Sequence, residues 1–578
     1  MKQHLQQLFI DALEQLDINQ NIDIRLERTR DIKHGDFACN IAMILAKKLH
    51  KNPRDIANSI VEKLPNNNDF IAKIEIAGPG FINIFLTNQA YHVNIDDIFR
   101  LKTEYGTNKL GTNQSIMIEF VSANPTGPLH VGHGRGAAYG AALANLLETV
   151  GFKVHKEYYV NDAGRQMDIL AVSVWLRYLE LCGETIEFPL NGYQGDYIWD
   201  IAADLHRNNA DKFHQESSAV FAAIPPDISN GGDKELHIDG LIQRAKQLLE
   251  DDYKIIFKQA IDTILDNISN DLKQFGVEYE EWFLESSLTT TNKVQQTIDQ
   301  LRDAGHTYEQ DGALWFKSSE FGDEKDRVIV RENGQFTYFA SDISYHKNKL
   351  ERGFDRIINI WGADHHGYVP RIKSAITALN YNAEQLTVLL VQFATLYRGK
   401  ERLQMSTRSG EFVTLRELRE EVGRDAARFF YVQRKSEQHL NFDLELAKSQ
   451  TNDNPVYYIQ YAHARISSVM RQLTEQGQTW KYDKTTLTSL ETAHEQALLI
   501  MLARYPEVIE MAALAYEPHQ LTYYLRDLAQ NFHSFYDTNK ILISDNKLRD
   551  ARLSLIVAVR QVLQNGLTII GVSAPEVM

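Results

Sequence analysis

Residues 115–160 read SIMIEFVSANPTGPLHVGHGRGAAYGAALANLLETVGFKVHKEYYV, and this stretch decides the fold. SIMIEF is a short apolar run suited to a buried strand. NPTGPLHVGHGRG is a Gly/Pro-rich loop, GAAYGAALANLLETVG a helix of small residues, and KVHKEYYV a second strand. Strand, loop, helix and strand in that order open a doubly wound parallel sheet.

Further along, FTYFASDISYHKNKL (336–350), RIINIWGADHHGYVPRIKSAITAL (356–379) and TVLLVQFATLYR (387–398) restore the strand–helix alternation. The polar segment between, 171–325, reads as an insertion in an interrupted sheet. The sheet therefore spans 106–170 and 326–414. Residues 1–105 form a separate α+β unit: two stretches at helical spacing (36–49 and 52–64), then two alternating runs around Gly78-Pro79-Gly80, a hairpin signal. From 415 the period is helical, giving a linker over 415–453 and an all-α domain rich in Tyr, Phe and His over 454–578.

The chain has 578 residues, enough for three to five domains at roughly 100–200 residues each. With 43% apolar and 24% charged residues, wholesale disorder is excluded. No apolar run reaches the ~18–20 residues of a membrane span, and no charged-then-apolar leader opens the chain. Cys39 and Cys182 cannot build a disulfide framework or a four-cysteine zinc site, so a reducing cytoplasm is expected. A net charge of −16 argues against binding by unspecific phosphate attraction, although a large enzyme can confine its basic groups to one face.

Three segments carry chemistry. In Pro128-Leu129-His130-Val131-Gly132-His133-Gly134, glycines let the backbone approach a ligand. The N–H groups and dipole of the helix that follows suit phosphate, and two imidazoles can donate to oxygens whose charge grows in a transition state. Alone, the segment reads equally as a tight turn with incidental histidines or as a metal pair at i, i+3. Trp361-Gly362-Ala363-Asp364-His365-His366 follows an apolar run, at the strand end where doubly wound sheets hold ligands. Asp364 there suits ribose hydroxyls and Gly362 a flat adenine. The alternative is a metal site, disfavoured because adjacent strand residues point to opposite faces. Gln404-Met405-Ser406-Thr407-Arg408-Ser409-Gly410 is either a loop that closes on a triphosphate or a solvated surface loop.

Together and in this order the three resemble the HIGH turn, the ribose-binding strand end and the KMSKS loop of class I aminoacyl-tRNA synthetases. The longer string Glu119-Phe120-Val121-Ser122-Ala123-Asn124-Pro125-Thr126-Gly127-Pro128-Leu129-His130 resembles the arginyl-tRNA synthetase family. So do Asn161–Gln166 (NDAGRQ), Tyr338–Asp342 (YFASD) and Tyr461–Arg465 (YAHAR). The resemblance runs over nearly the whole chain. It implies a Rossmann-like catalytic domain between an N-terminal additional domain and a C-terminal anticodon-binding domain. It also implies activation of L-arginine with ATP and Mg²⁺, transfer to the 3′ end of tRNA-Arg, no tightly bound metal, and a monomer.

On that resemblance, Pro128, His130, Gly132, His133, Gly134, Gly362, Asp364 and Met405 contact ATP. The catalytic set is His130, Gly132 and His133 with Gln404, Met405, Ser406 and Arg408 of the closing loop. Glu119, Ser122, Ala123, Asn124, His133 and His366 surround the arginine, and Tyr338 and Asp342, four apart on one helical turn, read its guanidinium. Phe81 and Asn83 would meet the D-loop of the tRNA, and Tyr457, Tyr461 and Arg465 its anticodon.

Two departures stand out. Gln404 and Thr407 replace the lysines of the KMSKS pattern, and Gly127 occupies the place where relatives often carry a compensating lysine. Arg408, Lys400 or Arg402 are then the candidate sources of positive charge. His366 stands where some relatives have an amide. The competing functions are a metal-dependent hydrolase using the histidine clusters and a non-catalytic tRNA-binding relative.

Overall fold

A computed structural model describes residues 1–18, 24–29, 31–65, 69–403 and 413–578. Its centre is a five-stranded sheet. We label β1 Ser115–Phe120, α1 Val131–Thr149, β2 Lys153–Val160, β3 Glu281–Leu284, α2 Tyr338–Glu351, β4 Arg356–Gly362 and β5 Leu386–Val391. The strand order is β5-β4-β1-β2-β3, and every pairing is parallel. Ile116, Ile118, Phe120, Ile358 and Ile360 are buried, as expected of central strands covered on both faces.

The small residues of α1 have a packing reason. A Cβ at Gly140 would come within 2.4 Å of the Phe120 ring, so the helix lies against the sheet only because that position is bare. From β1 the chain passes through α1 to β2 on one side. It later returns through β4 on the other. The sheet therefore changes direction between β1 and β4, where open α/β sheets form their ligand crevice.

The segment 171–325 is not one insertion. Its helices Asp196–Asn209, Lys234–Leu249 and Asp252–Gln274 lie outside the sheet, but β3 falls inside the same segment and pairs with β2. Four residues are too few to show a period, and the register comes from the partner strand. A small antiparallel sheet then follows, Thr307–Gln310, Ala313–Phe316 and Arg327–Val330. The 415–453 segment is likewise not wholly helical: Leu440–Asp443 is a strand pairing with Ala394–Arg398.

At the N-terminus, Ile71–Ala77 and Phe81–Leu86 form the expected hairpin, with Gly78 and Gly80 at positive φ in its turn. At the other end, Asn454 caps the helix Pro455–Glu475 by accepting from Val456 N–H at 3.2 Å, with proline at its first turn. That helix packs with His519–Thr538 and Asn546–Ile569, and both of these pack with Ala493–Leu514. The two ends of the chain touch: the Arg28 guanidinium bonds Glu507 at 2.7 and 3.0 Å, and Tyr105 donates to the Leu502 carbonyl at 3.0 Å. Among the described residues no helix is long and apolar enough to cross a membrane.

Candidate active site

The turn after β1 is organised by its histidines. His130 is the N-cap of α1, its Nδ1 accepting from Gly132 N–H at 3.0 Å, while His133 Nδ1 accepts from His130 N–H at 3.4 Å. Nδ1 is an acceptor in both, so each neutral ring carries its proton on Nε2. The rings stack with centroids 3.8 Å apart. Burial lowers the basicity of both, and His133, which also faces His130, is pushed down to about 3. The turn therefore presents neutral imidazole donors at a helix N-terminus.

Its glycines differ in purpose. A Cβ at Gly132 would stand 2.7 Å from the His130 ring and spoil the cap, whereas one at Gly134 would strike Leu415 and Tyr431 at 2.8 Å. Gly134 thus serves helix packing rather than close approach of a ligand. The turn is also strapped from across the molecule, since Val131 N–H donates to the Val413 carbonyl at 3.1 Å and Leu415 N–H to that of Leu129 at 2.8 Å. Gln404, Met405, Ser406 and Arg408 lie outside the described residues. Lys400 and Arg402 are exposed, and Arg398 is engaged with Glu421 at 2.6 and 3.1 Å. A side chain at position 127 would meet the Tyr197 ring at 2.9 Å, which explains why Gly127 stands there.

Beside the turn, the crevice between β1 and β4 holds a cavity of about 490 Å³. Glu119, Ser122, Asn124, Tyr338 and Asp342, which the resemblance gives to arginine, line it together with Gly362, which it gives to ATP. The chain bends into it sharply, with Val121 and Ser122 both left-handed at φ 69° and 43°. A β-branched residue there is a strained conformation of the sort that clusters at ligand sites. Ala123 and His133 are not among the lining residues, and the Ala123 carbonyl is taken by the Tyr158 hydroxyl at 2.9 Å.

Residues Ala363–Tyr368 form a 3₁₀ turn, and His365 and Tyr368 rather than His366 border the cavity, both histidines being exposed to solvent. Asp364 is exposed just past the β4 end. Sequence reasoning also missed Tyr159 at the β2 end, Glu285 just past β3, and Tyr345 and His346 one turn on from Asp342. Only the period of α2 gave any signal for the last two.

The cavity is acidic. Glu119, Glu285 and Asp342 border it, and among the described residues no lysine or arginine lines it. Burial raises Asp342 to about 7, against the opposing pull of the Tyr368 hydroxyl that donates to its Oδ2, with Glu285 and Glu119 adding repulsion. Burial likewise raises Glu285. Buried carboxyl groups raised in this way are stabilised in their ionised form by a cationic partner. The metal-hydrolase alternative is not supported. Among the described residues, neither His130 and His133 nor Asp364, His365 and His366 belong to a group of three converging metal ligands.

On the presumed nucleic-acid faces, Phe81 is 39% exposed but Asn83 only 4%, so its amide is not presented to solvent. Strand pairing accounts for this: Phe81–Leu86 is interior to its sheet, with Asn83 between Ala38 and Glu75. The C-terminal candidates do come together. Tyr457 and Tyr461 stack at 5.9 Å and 9°, and Arg465 lies over the rings of Tyr461 and Tyr536 at 5.6 and 3.8 Å.

Residues 94–468 match the family model described as the catalytic domain of class I (R) tRNA synthetases. That match takes in the crevice between β1 and β4 and its histidine turn, and it defines the class as the class I aminoacyl-tRNA synthetases. Residues 3–86 match the arginyl-tRNA synthetase N-terminal domain and 459–578 the DALR anticodon-binding domain. The chain is 59% identical to the arginine–tRNA ligase of Thioalkalivibrio sulfidiphilus over the full length of both. It is 56% identical to that of Hydrogenovibrio crunogenus over 98% of each. The arginyl-tRNA synthetase of Thermus thermophilus shares the fold, with a TM-score of 0.73 over all of both chains at 22% identity. The chain belongs to the arginyl-tRNA synthetase family. As a class I synthetase it uses ATP as a substrate.

Proposed function

We propose that the protein joins L-arginine to the 3′ end of tRNA-Arg through arginyl-adenylate, with the cavity between β1 and β4 as the arginine site. The acidity of that cavity carries the reading. Arginine brings a guanidinium and an α-ammonium, and three carboxyl groups with no lysine or arginine among the described lining residues suit both. Asp342 and Glu285 with the Tyr338 hydroxyl take the guanidinium end, and Glu119, Ser122 and Asn124 the α-amino end. A neutral side chain would leave those carboxyls unpaired, giving selection without an editing site.

The α-carboxylate then faces the histidine turn, where its attack on the α-phosphorus of ATP releases pyrophosphate. His130 and His133 donate from Nε2 to phosphate oxygens as charge develops, and positioning accounts for the remaining acceleration. Gly362 and Asp364 hold adenine and ribose, and the half-exposed Phe393 beside Gly132 offers a further aromatic face to the base. Gln404, Met405, Ser406 and Arg408, outside the described residues, are assigned to the triphosphate. Magnesium comes in on ATP as part of that substrate, because the turn offers neutral donors rather than the oxygen ligands the ion prefers. Phe81 contacts the D-loop, and Tyr457, Tyr461 and Arg465 the anticodon. The protein works in the cytoplasm, consistent with two free cysteines, and as a monomer whose two ends close on one another.

The test is arginine-dependent ATP–pyrophosphate exchange with and without tRNA-Arg at saturating magnesium. Exchange confined to the tRNA-containing mixture supports both the ligase reading and activation that requires tRNA. Exchange in both keeps the ligase and drops that requirement. A folded protein with no exchange in either overturns the reading.

A further inference from the structure

Beneath the cavity floor lies a lysine that the reaction itself does not call for. Lys349, on α2, is 0% exposed. Its ammonium donates to Glu119 Oε2 and, at 2.8 Å, to Asn359 Oδ1 of β4, and sits 4.2 Å above the Tyr345 ring. The chain of bonds continues in both directions. Asn359 Nδ2 donates to His346 Nε2 at 2.8 Å, and His346 Nδ1 donates to the Asp342 carbonyl at 2.7 Å. On the other side, Glu119 Oε1 accepts from the Ser122 hydroxyl at 2.8 Å, and Ser122 Oγ in turn accepts from Tyr159 N–H at 3.1 Å.

The direction of every bond follows from the lysine. An ammonium has three donors and no acceptor, so the Asn359 amide must turn its oxygen toward Lys349 and its nitrogen toward His346. His346 must then accept at Nε2 and carry its proton on Nδ1, where it meets the Asp342 carbonyl. One cation thereby sets an amide orientation, a tautomer and a carboxylate rotamer on α2, β4 and β1. Stability alone is a poor reason for such a group. Burying an ion pair costs about as much in lost hydration as the attraction returns, and apolar residues of similar volume often serve a fold equally well.

We propose that Lys349 is a positioning residue for arginine recognition, tying the Glu119–Ser122 end of the cavity to the Asp342 end through Asn359 and His346. It touches no substrate. It holds the Glu119 carboxylate with one oxygen turned inward, so that only the Ser122-bonded oxygen faces the α-amino end, and it fixes the turn of α2 that aims Asp342. This rests on the assignment of the cavity as the arginine site.

The experiment compares Lys349→Met, Asn359→Leu and Asp342→Asn in tRNA-dependent pyrophosphate exchange, with folding checked by circular dichroism. Lys349→Met keeps an unbranched side chain, and Asn359→Leu breaks the same chain of bonds at nearly equal volume with the charge left in place. The expected result is an arginine KM raised roughly tenfold or more in Lys349→Met and severalfold in Asn359→Leu, with the KM for ATP unchanged. A structural role alone would not separate the two substrates. An arginine KM raised in Asp342→Asn but unchanged in whichever of the other two folds overturns the positioning role and leaves the pocket assignment standing. Equal loss for ATP and arginine also overturns it. No change in any of the three overturns the assignment of the cavity itself.

Discussion

The imidazoles of His130 and His133 lie face to face, 3.8 Å between centroids and 23° from parallel. Two rings so placed cannot both take a proton, and burial already lowers each of them. They act as fixed neutral donors, not as acid–base groups. Replacing His133 by alanine is expected to lower kcat for exchange roughly 10²-fold with arginine KM little changed, because the donor matters most in the transition state. A variant whose loss appears in arginine KM alone would refute this division.

Arginine binding should release a proton near neutrality. Asp342, raised to about 7 by burial, ionises when a guanidinium arrives, so arginine KM falls as pH rises from 6 to 8. Titration calorimetry in buffers of different ionisation enthalpy reads the release directly. The same shift opposes folding: the native state holds a proton that the unfolded chain gives up near 3.8, so this group's contribution to stability declines from about pH 4 to pH 7. Asp342→Asn should abolish both effects, and persistence of the proton release in that variant would place its source elsewhere.

Two glycines two residues apart on α1 should respond oppositely to alanine. At Gly134 the added methyl meets Leu415 and Tyr431 at 2.8 Å, and a loss of about 1–3 kcal/mol is expected. At Gly136 nothing lies within 4 Å, and the gain in helix propensity should add about 0.5–1 kcal/mol. Urea denaturation of the two variants checks the pair, and equal stabilities would contradict the packing described.

The Tyr457–Tyr461–Arg465 ladder predicts a defect confined to the nucleic acid. Arg465→Ala uncovers the faces of Tyr461 and Tyr536. The tRNA KM in aminoacylation should then rise by roughly tenfold, the order expected for losing one stacked base, while the KM values for arginine and ATP stay put. Parallel rises in all three would indicate damage to the fold instead.

What could be foreseen was local. The histidine turn and the Gly78–Gly80 hairpin are each written in a few adjacent residues, and both formed as expected. Tyr338 and Asp342 face one cavity because helical period alone places them there. The missed features depend on distant partners. β3 exists because β2 offers an edge, and Glu285 enters the cavity because β3 delivers it. Lys349 reads as one charge in the polar run HKNKL until β4 and β1 close over it. That His365 rather than His366 borders the cavity follows from the 3₁₀ turn after Gly362, which no strand period foretells.

The bond between Arg28 and Glu507 has a consequence for how the molecule is made. The two residues stand 479 positions apart. At a synthesis rate of about 5–20 residues per second, the N-terminal unit waits roughly half a minute to a minute and a half before its partner helix leaves the ribosome. During that interval the surface that Glu507 will cover stays open to other chains, and only the helix Ala493–Leu514 brings Glu507 to it. Docking of a helix made late, rather than folding of the first unit, is the event that closes this surface.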